Sequence, residues 1–313
     1  MQLPTTGDEV GASSIGTAQA KSRRRDKIRW SYTLTSWLGL LPFLLFCLLF
    51  EILPAVIILE GSFVDSNTNA PTLNNYQRLL SVPSNIHAFQ NSVALSLVTA
   101  LLGSIIGFFA AYGIYRLRSN WLRNFLIGFS SIAANFAGVP LAFAFVATLG
   151  VTGFVTVFLK NMLHLDLYNL GFSIYTFWGL VLVYLYFQLP LMILVSVPAL
   201  AVLRPEWREA ATNLGASGTT YWRRIALPVL LPSLIAAALL LFANAFGAYA
   251  TAYALAQGNI NIVPILISFV VAGNVGMDVG LGNALAVGMM VVLVVAVFIY
   301  TAMLRRVSVW QGR

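Results

Sequence analysis

The stretch EAATNLGASGTTYWRRIALP, Glu209 to Pro228, sets an acid, two arginines and a run of small polar residues inside an otherwise strongly apolar chain. Pro205 suits the first position of a helix, and Glu206 beside it favours the positive end of the helix dipole. Gly215 suits the left-handed position just past a helix end. The spacing therefore predicts a helix of about ten residues over 205–214, ~15 Å long. Trp207, Ala210, Ala211 and Leu214 share one face of it, while Arg208 and Asn213 point elsewhere. Ser217 is placed to cap a second short helix, and Leu227-Pro228 leads into the next apolar run. A short amphipathic helix pair, tethered at both ends to apolar spans, is built to seat in a groove on a partner.

The surroundings of this stretch are those of a membrane protein. Of 313 residues, 59% are hydrophobic and 9% charged, and the mean hydropathy is +0.84. A soluble domain carries about 25% charged residues. Apolar runs long enough to cross a ~30 Å hydrocarbon layer fall at about 34–59, 91–115, 125–149, 172–198, 229–256 and 284–304. The fold class expected is thus an all-α membrane protein with six transmembrane helices. The first run is too long for a signal peptide and reads as a retained span. Pro42, Pro54, Pro140 and Pro190 fall within or near spans and predict kinks.

Basic residues give the orientation. Sixteen Lys and Arg lie in the 1–29 tail, the 116–124 and 199–228 loops and the C-terminus, against two, Arg78 and Lys160, in the alternate loops. By the positive-inside rule both termini and the Glu209–Pro228 stretch are cytoplasmic. The outer loops are then about 61–90, 150–171 and 257–283, with 66–75 (SNTNAPTLNN) an exposed turn-rich segment. The expected organisation is a disordered basic cytoplasmic tail over 1–29, the first span and outer loop over 30–90, a transmembrane domain over 91–305 and a short cytoplasmic tail over 306–313.

Several functions are excluded. The net charge of +8 sits between hydrophobic runs, with no basic face interleaved with aromatics, which argues against nucleic acid. Cys47 is the single cysteine, within the first span, and the two histidines are far apart in sequence, so neither a disulfide nor a metal cluster is expected. A phosphate-binding loop needs G-x-x-x-x-G-K-[ST], yet none of the three lysines, Lys21, Lys27 and Lys160, follows a glycine. No cofactor is expected, and no arrangement of nucleophile, base and acid supports an intramembrane enzyme.

With Glu209, Ala210, Ala211, Gly215, Ile225, Leu227 and Pro228, the chain carries the pattern E-A-A, three residues, G, nine residues, I-x-L-P. It resembles the EAA loop of permease subunits in binding-protein-dependent type I ABC importers, over about 90–305. The segments YFQLPLMILVSVPAL and PVLLPSLIAAALLLFANAFGAYATAYAL are most similar to the polyamine, iron, thiamine and phosphonate branch. The resemblance implies a MetI-like fold with cytoplasmic coupling helices in a bacterial inner membrane. It also implies two ABC ATPase subunits, a second permease subunit of different sequence and an extracytoplasmic solute-binding protein. Trp207, Glu209, Ala210, Ala211, Leu214, Gly215, Leu227 and Pro228 are the residues expected to couple to the ATPase.

Candidates for the pathway are less sharply marked. Asn244, Gly247, Ala248 and Thr251 fall on one face of the fifth span, with Tyr249 and Tyr253 adjoining. They line a pathway or, equally, join helices, as small and polar residues do in membranes. Asn135 in the third span and Gln188 in the fourth are similar candidates. Glu51, an acid within the first span, either contacts a cationic solute or pairs with a neighbouring helix. A self-sufficient carrier or channel is the alternative function, but it would place coupling acids or repeated broken helices in the spans. The solute itself is open, with a polyamine first and iron, thiamine or a phosphonate next.

Overall fold

The structure, a computed structural model, describes residues 40–256, 259–272 and 277–311, with side chains in the last helix as far as Met303. The expected 1–29 tail, the start of the first span and the last two residues lie outside the described residues. The described chain is helical: α1 (Leu40–Gly61), α2 (Asn74–Ser81), α3 (Pro83–Tyr115), α4 (Asn120–Asn135), α5 (Val139–Leu149), α6 (Phe154–Leu163), α7 (Phe177–Ala201), α8 (Pro205–Asn213), α9 (Gly218–Phe246), α10 (Ala250–Ala256), α11 (Val263–Val271) and α12 (Val279–Gln311). Among the described residues six segments are long and apolar enough to cross a membrane: α1, α3, the stretch Val139–Leu163, α7, α9 and α12 to Met303.

The chain forms two units, residues 1–60 and 61–313. In the first, α1 is strongly apolar apart from Glu51 and Glu60, and largely exposed. It carries a π turn, Leu48–Ile52, in which Leu53 N–H reaches back to the Leu48 carbonyl. Pro54 follows at once. A proline ring clashes with the carbonyl four residues before it, and widening the preceding turn relieves that clash. Glu51 stands exposed within this π turn.

In the second unit, α3 packs against α7 and α9, and α4 against α7. Close approach requires the glycines: a Cβ on Gly107 would lie 2.6 Å from Met192 Cβ. Hydroxyls on the same helix bond to its own turns, Ser96 Oγ to Ser92 O at 2.7 Å and Thr99 Oγ1 to Leu95 O at 2.8 Å. This leaves a seam of small residues for the neighbouring helices. Outside the long apolar helices, Asn75 Nδ2 bonds the Ser62 and Val64 carbonyls, and Asn261 Nδ2 bonds Ser84 O at 2.7 Å. The loops read at 61–90, 150–171 and 257–283 thus contain helices of their own, α2, α6 and α11. The 66–75 segment turns on Asp65, whose Oδ1 accepts the Asn67 and Thr68 N–H groups at 2.9 Å, and these bonds hold the carboxyl below its usual range.

Two spans differ from the sequence reading. The expected third span, 125–149, is divided into α4 and α5 by a break at 136–138. Gly138 adopts φ 75°, ψ −150°, which a Cβ disfavours, and Pro140 in the first turn of α5 removes a helical donor. The expected fifth span, 229–256, ends at Phe246 and resumes as α10 after Gly247–Tyr249. Its other end starts earlier, at Gly218, so the second short helix is no separate element. It is the opening of α9, joined through a π turn at Trp222–Ala226 that precedes Pro228 as the α1 turn precedes Pro54.

Candidate functional site

Two interruptions of the helical framework concentrate the chemistry. The first is the Glu209–Pro228 stretch. Helix α8 ends in a two-bond closure: Ala216 N–H donates to the Ala211 carbonyl and Gly215 N–H to the Thr212 carbonyl, both at 2.9 Å. This is the Schellman arrangement, and Gly215 supplies the positive φ it needs, +74°. Ser217 then caps α9, its Oγ accepting the Thr220 N–H at 3.2 Å. The chain therefore turns from one helix into the next through local hydrogen bonds alone.

The expected common face of α8 divides. Ala211 is 6% exposed and packs with Tyr221 and Ala226 of α9. Its side chain is covered by its own chain and does not belong to an outward face. Leu214 is 88% exposed, and Trp207, Glu209 and Ala210 are also exposed. The surface offered outward is thus Trp207, Glu209, Ala210 and Leu214. The exposed Leu227 and half-buried Pro228 mark the entry to the straight part of α9, and Gly215 marks the turn.

The second interruption is formed by two breaks that meet. Gly138 N–H donates to Thr251 Oγ1 at 2.8 Å, and Thr251 Oγ1 lies 3.3 Å from the Gly138 carbonyl. Tyr184 of α7 donates its hydroxyl to the Ala248 carbonyl at 2.7 Å, tying down the other break. Tyr249 shares a hydrogen bond with Ser268 at 2.9 Å and stacks on Tyr253 at 5.2 Å. Between the breaks lies a cavity of about 390 Å³, walled by Ala134, Gly138, Phe187, Asn244, Gly247 and Tyr249 among others. Its walls carry uncharged side chains, most of them small apart from Phe187 and Tyr249.

The pathway candidates fare unequally. Asn244, Tyr249 and Thr251 line this cavity. They meet because the helix stops, and not because they share a helical face. Thr251 is buried and spends its hydroxyl on Gly138. Tyr253 is 40% exposed beside Tyr249. Asn135 ends α4 next to the cavity wall, and its Nδ2 donates to Ser131 O at 2.8 Å. Gln188 is set apart from the others: it is fully buried between α3 and α7, its Nε2 donating to Thr99 Oγ1 at 2.8 Å, and it does not line this cavity. Gly138 and Tyr184 escape sequence reading. The G-V-P at 138–140 is a signal for the former, whereas nothing in the sequence distinguishes Tyr184 from Tyr186, the other tyrosine of α7.

Comparison with known proteins follows the same architecture. Residues 103–309 match the family described as binding-protein-dependent transport system inner membrane component. The chain is 29% identical to a probable ABC transporter permease protein of Sinorhizobium fredii, over 69% of this chain and 37% of that protein. It is 30% identical to a probable sulfate transport system permease protein of Chlorella vulgaris, over 56% of this chain and 64% of that protein. A spermidine/putrescine transport system permease protein of Haemophilus influenzae is 26% identical, over 81% and 91%. The chain thus spans less than two thirds of the first two relatives and most of the third. Among solved structures, a bacterial ABC transporter involved in alginate import superposes with a TM-score of 0.70 at 19% identity, over 91% of this chain and 99% of that one. An inward-facing methionine ABC transporter gives 0.54 at 16% identity, over 71% and 95%. With the family match covering most of the chain and the helical framework shared, this multi-pass inner-membrane chain belongs to the binding-protein-dependent transport system inner membrane components, the permease subunits of type I ABC importers.

Proposed function

We propose that this chain forms one half of the pathway by which a small solute enters the cytoplasm. An external binding protein delivers the solute, a second permease of different sequence completes the pathway, and two ATPase subunits drive it. The observation that carries this reading is the closure at Gly215. It presents Trp207, Glu209, Ala210 and Leu214 outward on a helix rigidly joined to α9, so a displacement of α8 is passed directly to a span. Both termini and this segment face the cytoplasm, as the distribution of basic residues supports. The solute passes the cavity between the breaks, with Asn244 as its polar contact. A polyamine is the first candidate, since spermidine/putrescine permeases are among the relatives. Sulfate is a second, since sulfate permeases are also among them.

The test is Gly215→Val. A β-branched side chain at φ +74° is strained by about 1–2 kcal/mol or more, and the helix leaves in another direction. Uptake and the amount of ATPase that co-purifies from membranes should both fall at least about tenfold, which corresponds to ~1.4 kcal/mol. Glu209→Lys, which leaves the backbone unchanged, should give a smaller loss of both. Wild-type uptake and ATPase retention in the glycine variant would rule out the coupling assignment.

A further inference from the structure

Behind α8 lies a second cavity, of about 530 Å³, between the end of α3, the linker to α8 and the opening of α9. Three arginines from two segments line it: Arg116 at the end of α3, and Arg204 and Arg208 at the start of and within α8. Glu209, which is also exposed and part of the outward surface, is the one acid in its lining, and among the described residues no ion pair joins it to any of the three. Four aromatic residues, Tyr112, Tyr115, Tyr221 and Trp222, form much of the remaining wall. Tyr112 and Trp222 meet edge to face at 5.1 Å, and the Arg116 guanidinium lies 5.6 Å from the Tyr112 ring centre, its N–H 3.4 Å from the Tyr112 hydroxyl. Beneath these rings the apolar cluster of Ile114, Leu200 and Leu230 begins.

We propose that this cavity binds the phosphate of an anionic phospholipid headgroup. Three observations combine. Arg116 directly follows the 33-residue apolar helix α3, and a Tyr/Trp layer bounds the cavity toward the apolar cluster, which places it at the membrane–water boundary. The excess of guanidinium over carboxylate selects an anion, and guanidinium forks match phosphate oxygens geometrically. Basic pockets between membrane helices at this level hold acidic headgroups, whereas a soluble anion would gain nothing from the aromatic and apolar floor. A headgroup seated here bridges α3, α8 and α9, so it stiffens the outward-turned helix from behind. The lipid site needs no ATPase in place, and its failure would leave the docking reading intact.

The experiment uses the full chain in nanodiscs of phosphatidylcholine with or without phosphatidylglycerol, at fixed ionic strength. Retained lipid is counted by native mass spectrometry. Wild type should hold about one phosphatidylglycerol per chain against washing, in preference to phosphatidylcholine. Arg116→Gln combined with Arg208→Gln should weaken retention about 25-fold, about fivefold for each charge removed. The Arg116→Lys and Arg208→Lys pair keeps the charge and should retain most of the binding, so a folding defect in the glutamine variant is separable. Arg123→Gln, on a half-buried arginine outside the cavity that donates to Asn120 Oδ1, should retain all of it. Equal retention in wild type and the glutamine pair, or equal retention of both lipids, overturns the proposal. So does displacement of the lipid by free glycerol phosphate at comparable concentration, which would make this a site for soluble anions.

Discussion

Gly138 and Gly215 both interrupt helices at positive φ, +75° and +74°, yet they are held in different ways. At Gly215 the closing bonds come from within six residues, Ala211 to Ala216, and a Cβ would meet nothing within 4 Å. At Gly138 the partner is Thr251, 113 residues away, and the opposed break is held by Tyr184 from a third helix. Local closure leaves Trp207, Glu209, Ala210 and Leu214 exposed. Closure across the fold leaves space, because two segments that turn away from each other leave backbone and side chains around a cavity. The same backbone device therefore ends in an exposed helix in one place and a cavity in the other, and the coupling role proposed for the first and the pathway role proposed for the second can be tested apart.

The largest effect that tests this contrast is Gly138→Val. Its φ and ψ lie in a region that only glycine occupies readily, so strain of about 1–3 kcal/mol adds to disruption of the Thr251 bond. Uptake should fall by at least about tenfold while ATPase still co-purifies, the reverse of the joint loss expected at Gly215. Joint loss at both positions would break the comparison, since it would make the two glycines one mechanical unit.

Next in size is Thr251→Val, which keeps the side-chain shape and removes the hydroxyl. Gly138 N–H then lacks its buried acceptor, a loss of about 1–3 kcal/mol. The melting temperature of the purified chain should drop by several degrees, at roughly 2–4 °C per kcal/mol for a chain of this size. Thr251→Ser, which restores the hydroxyl, should recover most of it. An unchanged melting temperature in the valine variant would mean that the breaks meet without depending on this bond.

Asn244→Leu sharpens the contrast from the cavity side. It removes a polar contact without touching either closure, so uptake should fall several-fold with assembly and ATP hydrolysis in the complex retained. Normal uptake would leave Asn244 a packing residue.

The smallest effect concerns the Asp278 cluster, away from both closures. Burial raises the Asp278 carboxyl, but the Leu281 N–H, Arg78 and Ser66 outweigh it and hold the group below its usual range. A depressed carboxylate contributes stability above its unfolded pKa of ~3.9 and loses it as pH falls through the folded value. Asp278→Asn should therefore lower the melting temperature slightly at neutral pH, and the gap from wild type should close below pH ~4. A gap that persists in acid would assign the effect to shape alone.

Much of this was legible in the residues themselves. Hydropathy marks apolar runs without reference to partners, so most of the membrane segments follow from composition over ~20 residues. The turn at Gly215 and the Ser217 cap were legible too, since both arise from hydrogen bonds between near neighbours. Where the fifth span breaks was not: 247–249 lies inside a continuous apolar run, and there the Ala248 carbonyl accepts the Tyr184 hydroxyl from another helix. Gln188 and Asn244 look alike in sequence, each a polar residue in a greasy span. One lies fully buried against Thr99 and the other on a cavity wall. Hydropathy records how apolar a helix is and says nothing of which side its neighbours cover. Only the packing of α3, α7 and α9 decides that, through contacts between residues far apart in the chain.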